Sequence, residues 1–237
     1  MGGSPEAVRI PAGRVELDAD LVPPRAGRGV VLFAHGSGSG RRSPRNREVA
    51  ERLHARGLGT LLLDLLARAE VPVDELTREY RFNIELLSER LLAATDWVVG
   101  RFGRKTLPLG YFGASTGGAV AMIGAAERPE FVGAIVLRGA RTDLGDRSAA
   151  RIRCPTLVLV GGDDPEIQHL NERTLQLLRC EKQLVIVPGA SHLFEEPGAL
   201  DRVAELSVEW FDRHLRTPGV GRPPPPERAL FPDRSDS

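Results

Sequence analysis

Short, unbroken apolar runs alternate along this chain with longer stretches in which apolar residues recur every three or four positions. The runs lie at residues 29–34 (GVVLFA), 60–63, 107–112, 133–137, 156–160 and 183–187. A strand apolar at successive positions is buried on both faces, the setting of a parallel sheet. Residues 8–10 and 14–18, joined around Gly13, predict a small hairpin ahead of these runs. Leu76, Tyr80, Ile84, Leu87, Leu91, Thr95, Val98 and Phe102 share one helical face, which predicts a single long amphipathic helix over 74–102. Further helices are predicted over 45–56, 116–127, 166–178 and 200–215. Regular alternation of strand and helix predicts an α/β fold, a mostly parallel, doubly wound sheet with helices on both faces.

Composition narrows the function more than the fold. The 237 residues are 41% hydrophobic and 27% charged, a globular balance. They divide into a flexible N-terminus (1–6), one domain (7–216) and a mobile Pro-rich tail (217–237) that holds four consecutive prolines at 223–226. Lys plus Arg number 32 and Asp plus Glu number 32, so no overall field favours a polyanion, and neither nucleic acid nor a membrane is an expected partner. No apolar run approaches the ~18 residues of a membrane span. No basic stretch leads into an apolar one at the N-terminus, and Met1-Gly2 is followed by Glu6 where an acylation signal has Ser or Thr. With two cysteines, Cys154 and Cys180, read as reduced thiols, the expectation is a cytoplasmic protein, monomeric or homodimeric.

Candidate chemistry clusters at the ends of predicted strands. Gly113-Ala114-Ser115-Thr116-Gly117 matches G-x-S-x-G, follows a strand directly and opens a helix of small residues. A nucleophile on a sharp strand-to-helix turn needs small neighbours, and the turn lifts its hydroxyl to the sheet edge beside the free amides of the helix start. Ser115 is therefore the candidate nucleophile, and the Thr116 amide a candidate oxyanion donor. His35-Gly36-Ser37-Gly38-Ser39-Gly40 follows the strand at 29–34, and Gly36 or Ser37 is the candidate second donor. The loop lacks Gly-Lys-Ser/Thr and fits no G-x-G-x-x-G, which argues against a phosphate loop. Asp163 and Asp164 follow the strand at 156–160, where a carboxylate can orient an imidazole. His192 follows the strand at 183–187 as the candidate base. His54, His169 and His214 fall on predicted helices and are read as surface residues, and His35 as loop-shaping. The chain order Ser…Asp…His suits this arrangement.

These segments together resemble the α/β-hydrolases, and within them the dienelactone hydrolase-like group, over roughly Val30 to Leu215. The most specific stretches are FAHGSGSGRRSPRNREVAERL, GYFGASTGGAVAM, LVLVGGDDPEIQHLN and PGASHLFEEPG. The resemblance implies an α/β-hydrolase fold with Ser115 as nucleophile, Asp164 as acid, His192 as base, and Thr116 with Gly36 or Ser37 as oxyanion hole. Asp164 is preferred to Asp163 because it closes the G-x-x-D step from Gly161; Asp163 is left to cap the next helix, and Asp143 is the reserve acid. One departure stands out: the family's turn carries Cys, and here it carries Ser115. Only residues 138–155 separate two strands where relatives insert a cap, so no cap domain is expected.

The activity this implies is hydrolysis of a small ester or lactone-like substrate through an acyl-enzyme on Ser115, with no metal or organic cofactor. A non-catalytic binding module and an acyltransferase using the same residues are the alternatives. Arg41, Arg42, Arg45 and Arg47 crowd the start of the first helix, where cations are unfavourable. They are read as a solvated basic patch, with attraction of an acidic substrate or partner as the alternative.

Overall fold

The structure, a computed structural model, describes residues 4–103 and 107–216; the proline-rich tail expected over 217–237 lies outside them. Eight strands form one sheet in the order β1-β2-β4-β3-β5-β6-β7-β8. They are β1 (Glu6–Ala12), β2 (Val15–Val22), β3 (Val30–Ala34), β4 (Gly59–Leu63), β5 (Leu109–Ala114), β6 (Val132–Arg138), β7 (Thr156–Gly161) and β8 (Lys182–Val187). The hairpin β1–β2 is antiparallel and joins the sheet antiparallel to β4; every other pair is parallel. Glu6, expected in the flexible N-terminus, already pairs with Leu21.

Strand alternation sorts the apolar residues into two cores. Val30, Leu32 and Ala34 of β3 face one side with Leu87, Leu91, Ala94 and Val98 of α3 (Ile84–Phe102), Val120 of α4 (Thr116–Glu127) and Ile167 of α6 (Pro165–Leu177). Val31 and Phe33 face the other with Val49, Ala50 and Leu53 of α1 (Pro44–Ala55) and Val203, Trp210 and Phe211 of α7 (Ala199–His214). Truncating any of these fully buried leucines costs about 2–5 kcal/mol. Between β6 and β7 stand only a 3-10 turn (Thr142–Gly145) and the one-turn helix α5 (Asp146–Ala149), so no cap domain covers the sheet there.

Three expectations need correction. The single helix over 74–102 is two helices, α2 (Val71–Thr77) and α3, and Leu76 is 88% exposed. The Asp74 carboxylate accepts from the Tyr80 and Arg81 amides and from Arg81 Nε, Arg78 turns into the left-handed region at φ 59, and Asn83 Oδ1 caps α3 by accepting from the Leu86 amide. These polar bonds hold a turn that interrupts the apolar period. The strand predicted at 107–112 runs instead from Leu109 to Ala114, past Pro108, which cannot donate to a ladder. Among the helix histidines only His169 is exposed. His54 is half-buried, bonded to Thr60 Oγ1 at 2.6 Å, and His214 packs on Trp210.

Candidate active site

The carboxyl ends of β3, β5, β7 and β8 lie on one edge of the sheet, at the crevice where the chain runs from β3 to β4 on one side and from β4 back past β3 to β5 on the other. Ser115 sits between β5 and α4 with φ 52 and ψ −122, a conformation costly for any residue with a side chain. Neighbours hold it there. Its amide donates to the Arg138 carbonyl, and its own carbonyl accepts from the Gly118 and Arg141 amides. The turn closes only because its flanks are bare: a Cβ on Gly113 would stand 2.6 Å from the Gly117 carbonyl, and one on Gly117 would stand 2.1 Å from the Ala34 carbonyl.

Two loops bring the remaining groups to this serine. His192, half-buried beyond β8, presents Nε2 3.4 Å from Ser115 Oγ. Its Nδ1 lies 2.7 Å from Asp164 Oδ2, on the residue that precedes α6. With Nδ1 protonated and donating to the carboxylate, Nε2 is left to accept from the serine hydroxyl. Asp163 is exposed, makes no side-chain bond among the described residues, and its amide goes to the Ala190 carbonyl. It does not cap α6 as expected: the residue at the cap position is Asp164, whose carboxylate is turned to His192 instead. Asp143, the reserve acid, is held by Arg141 in a two-point pair at 2.9 and 2.8 Å.

The loop after β3 closes the fourth side. His35 is buried, donates from Nδ1 to the Gly36 carbonyl and accepts at Nε2 from the Leu65 amide, the loop-shaping role expected of it. Gly36 lies against the serine, so that a Cβ there would stand 3.1 Å from Ser115 Cβ. The Ser37 amide donates to Thr116 Oγ1 at 2.9 Å, and the Ser37 hydroxyl also bonds that oxygen. Of the two alternatives for the loop's oxyanion donor, Ser37 is thus already engaged by the residue that follows the serine.

A model of the dienelactone hydrolase family matches residues 17–214. The chain belongs to the dienelactone hydrolase family. A crystal structure of a dienelactone hydrolase from Anabaena variabilis is 51% identical and superposes with a TM-score of 0.85, over 90% of this chain and all of that one. Est1E from Butyrivibrio proteoclasticus, at 15% identity and a TM-score of 0.74 over 90% of this chain and 98% of its own, shares the fold. A Mycobacterium tuberculosis protein provisionally named a phosphoribosyl transferase is 47% identical over 214 residues, which are 90% of this chain and 47% of that protein. The chain therefore spans about half the length of the curated relatives it matches at this identity.

Two cavities lie at this candidate site, on either side of the loop that begins at Gly36. The larger, about 610 Å³, lies beyond the Gly36–Gly40 loop and is walled by the segment between β4 and α3. Three of its four guanidinium groups are paired, Arg41 with Asp64, Arg68 with Asp18 and Arg81 with Asp74, and the fourth, Arg42, is exposed. The arginines at the start of α1 are accordingly not the solvated patch expected. Arg41 is largely buried among Asp18, Asp20 and Asp64, Arg47 reaches Asp20, and Arg45 reaches Glu195 at 2.6 Å; Arg42 alone of the four faces solvent without an ion pair among the described residues. The smaller cavity, about 220 Å³, holds Ser115 and His192 and is also lined by Arg45, Asn46 and Arg138. Sequence reading missed Asn46 and Arg138. The available signal was a charged residue closing the apolar run of β6 at the edge where Ser115 stands.

Proposed function

We propose that this chain is a serine hydrolase of carboxylic esters or lactones, with Ser115 as nucleophile, His192 as general base and acid, and Asp164 holding the imidazole. The observation that supports it most is the relay from Asp164 Oδ2 through His192 to Ser115 Oγ, at 2.7 and 3.4 Å. The second contact is long for a hydrogen bond, as such contacts are before a substrate tightens them. Ser115 Oγ attacks the carbonyl carbon while His192 Nε2 takes its proton. The oxyanion is met by the Thr116 amide, which as the first of α4 has no carbonyl four residues back in the helix, and by the Gly36–Ser37 loop. His192 returns the proton to the leaving alcohol, leaving an acyl group on Ser115. Water, deprotonated by His192, then releases the acid and restores the serine.

The transferase name of the mycobacterial relative applies to a protein about twice the matched length, and the Ser–His–Asp relay supports acyl chemistry for this chain. Labelling with a fluorophosphonate probe, with the modified peptide mapped by mass spectrometry, tests the assignment. The expected adduct is on Ser115 and is absent in Ser115→Ala. A folded wild-type protein that hydrolyses p-nitrophenyl acetate no faster than Ser115→Ala overturns it.

A further inference from the structure

We propose that Cys154 and Cys180 form a thiol pair that closes to a disulfide when the protein meets a low-molecular-weight disulfide, stapling β8 to β7. Both lie just before the amino ends of their strands, away from the edge that carries Ser115. Cys154 stands two residues before Thr156, and Cys180 two residues before Lys182. Thr156 and Lys182 are paired in register between β7 and β8. Carrying that register back two positions sets Cys154 opposite Cys180, with both side chains on one face of the sheet. The packing agrees: Cys154 lies in the core with Val158 and Val160, and Cys180 packs against the same core. Thr156 joins the two, its hydroxyl donating to the Cys154 carbonyl at 3.2 Å and meeting Cys180 Sγ at 3.6 Å. Facing residues of adjacent strands stand about 4.8 Å apart, inside the ~4.4–6.8 Å between Cα atoms that a disulfide spans. Both thiols are free in the structure.

The two sulfurs are unequal, which sets the order of events. Cys154 is 6% exposed, and burial pushes its thiol up to about 12, so it does not react first. Cys180 is half-buried and lines a surface cavity of about 480 Å³ together with Arg151, Arg153 and Arg179. Arg151 pairs with Glu127, while Arg153 and Arg179 are exposed and have no ion pair among the described residues. That excess of positive charge draws an anionic disulfide such as oxidised glutathione to the accessible sulfur. Cys180 Sγ, as thiolate, attacks one glutathione sulfur; the S–S bond breaks, and one glutathione leaves as thiolate and takes up the proton that Cys180 gave up. Cys154 Sγ then attacks Cys180 Sγ, its own proton passing to the departing second glutathione. Two protein thiols are oxidised and one external disulfide is reduced to two thiols. The bond ties down β8, the edge strand whose following loop carries His192, and closes the segment that contains α6.

The test incubates the native protein with oxidised glutathione at mildly alkaline pH, quenches with N-ethylmaleimide and maps the peptides by mass spectrometry. The expected wild-type product joins the Cys154 and Cys180 peptides within one chain and returns two free thiols on reduction. Cys154→Ala is expected to stop at a glutathione adduct on Cys180, and Cys180→Ser to leave Cys154 unmodified in the folded protein. Oxidised wild type is expected to melt about 5 °C or more above the reduced protein, and Cys180→Ser to show no such shift. A glutathione adduct that persists on Cys180 in wild type, a dimer linked through Cys180, or two unreacted thiols overturns the pair. A lower melting temperature after closure overturns the staple. The wild-type map decides the pairing even if the buried Cys154→Ala variant does not fold.

Discussion

The Ser37 amide donates to the Thr116 hydroxyl at 2.9 Å, tying the loop after β3 to the first residue of α4. The Ser37 hydroxyl meets the same oxygen at 2.9 Å and donates to the Arg81 carbonyl at 3.1 Å, so one small cluster links three segments around the serine. Thr116→Val keeps the shape and removes the oxygen. We expect it to lower kcat about tenfold, because small misplacements of positioning groups are felt strongly in rate. Thr116→Ser should stay near wild type. Steady-state kinetics on p-nitrophenyl butyrate check this, and a fully active Thr116→Val shows that the tether is dispensable.

Ser115 carries backbone strain, and strain of this kind is released when the side chain goes. Ser115→Gly is expected to abolish ester hydrolysis and to raise stability by about 1 kcal/mol, since glycine adopts φ 52 without steric cost. Urea denaturation of the two proteins reads the difference. A variant less stable than wild type shows that the turn is not strained.

Asp163 and Asp164 differ by one position and by everything that matters to His192. Asp164→Asn is expected to lower kcat by roughly 10³–10⁴-fold, since an amide in that place favours the wrong imidazole tautomer. Asp163→Asn should change it less than about twofold, given its exposure. Both are measured at saturating ester, and reversal of the two results moves the acid to Asp163.

Burial pushes the His35 imidazole below its ordinary value of 6.5, so the folded chain resists a proton that the unfolded chain accepts. The unfolded state then binds more protons in the window below 6.5, and stability, complete above that pH, is lost as pH falls through the window. His54 and His214 are lowered for the same reason, and their losses add. Melting temperatures should fall from about pH 7 to about pH 5, less steeply in His35→Gln, whose side-chain oxygen can still accept from Leu65. An unchanged melting temperature across that range contradicts the assignment.

Gly117→Ala places a methyl where the Ala34 carbonyl already stands, 2.1 Å away, with backbone on both sides of the clash. The expected cost is about 3 kcal/mol or more, seen as loss of soluble, folded protein or a large drop in melting temperature. Wild-type stability in Gly117→Ala would mean that β3 and α4 are packed less closely than described.

The parallel sheet was legible in the sequence because a strand buried on both faces must be apolar at every position, and few other elements are. The GASTG turn was legible for a similar reason: a strained turn against a neighbouring strand leaves room only for glycine, and residues 113 and 117 carry it. The order Ser115, Asp164, His192 could be read as well, because loops after parallel strands all emerge on one edge. What periodicity could not show is where polar groups overrule it. The break between α2 and α3 is made by the Asp74 carboxylate, which collects the Tyr80 and Arg81 amides in a stretch whose apolar spacing still reads as helix. The fate of the charges was likewise decided only in three dimensions. Neither Arg41, in an arginine-rich stretch, nor Arg138, at the end of an apolar run, has an acidic residue beside it in sequence. Folding brings Asp18, Asp20 and Asp64 to the first and Phe194 with a backbone carbonyl to the second, so one is neutralised and the other keeps its charge beside Ser115. Such pairings join residues far apart in the chain, and local composition carries no record of them.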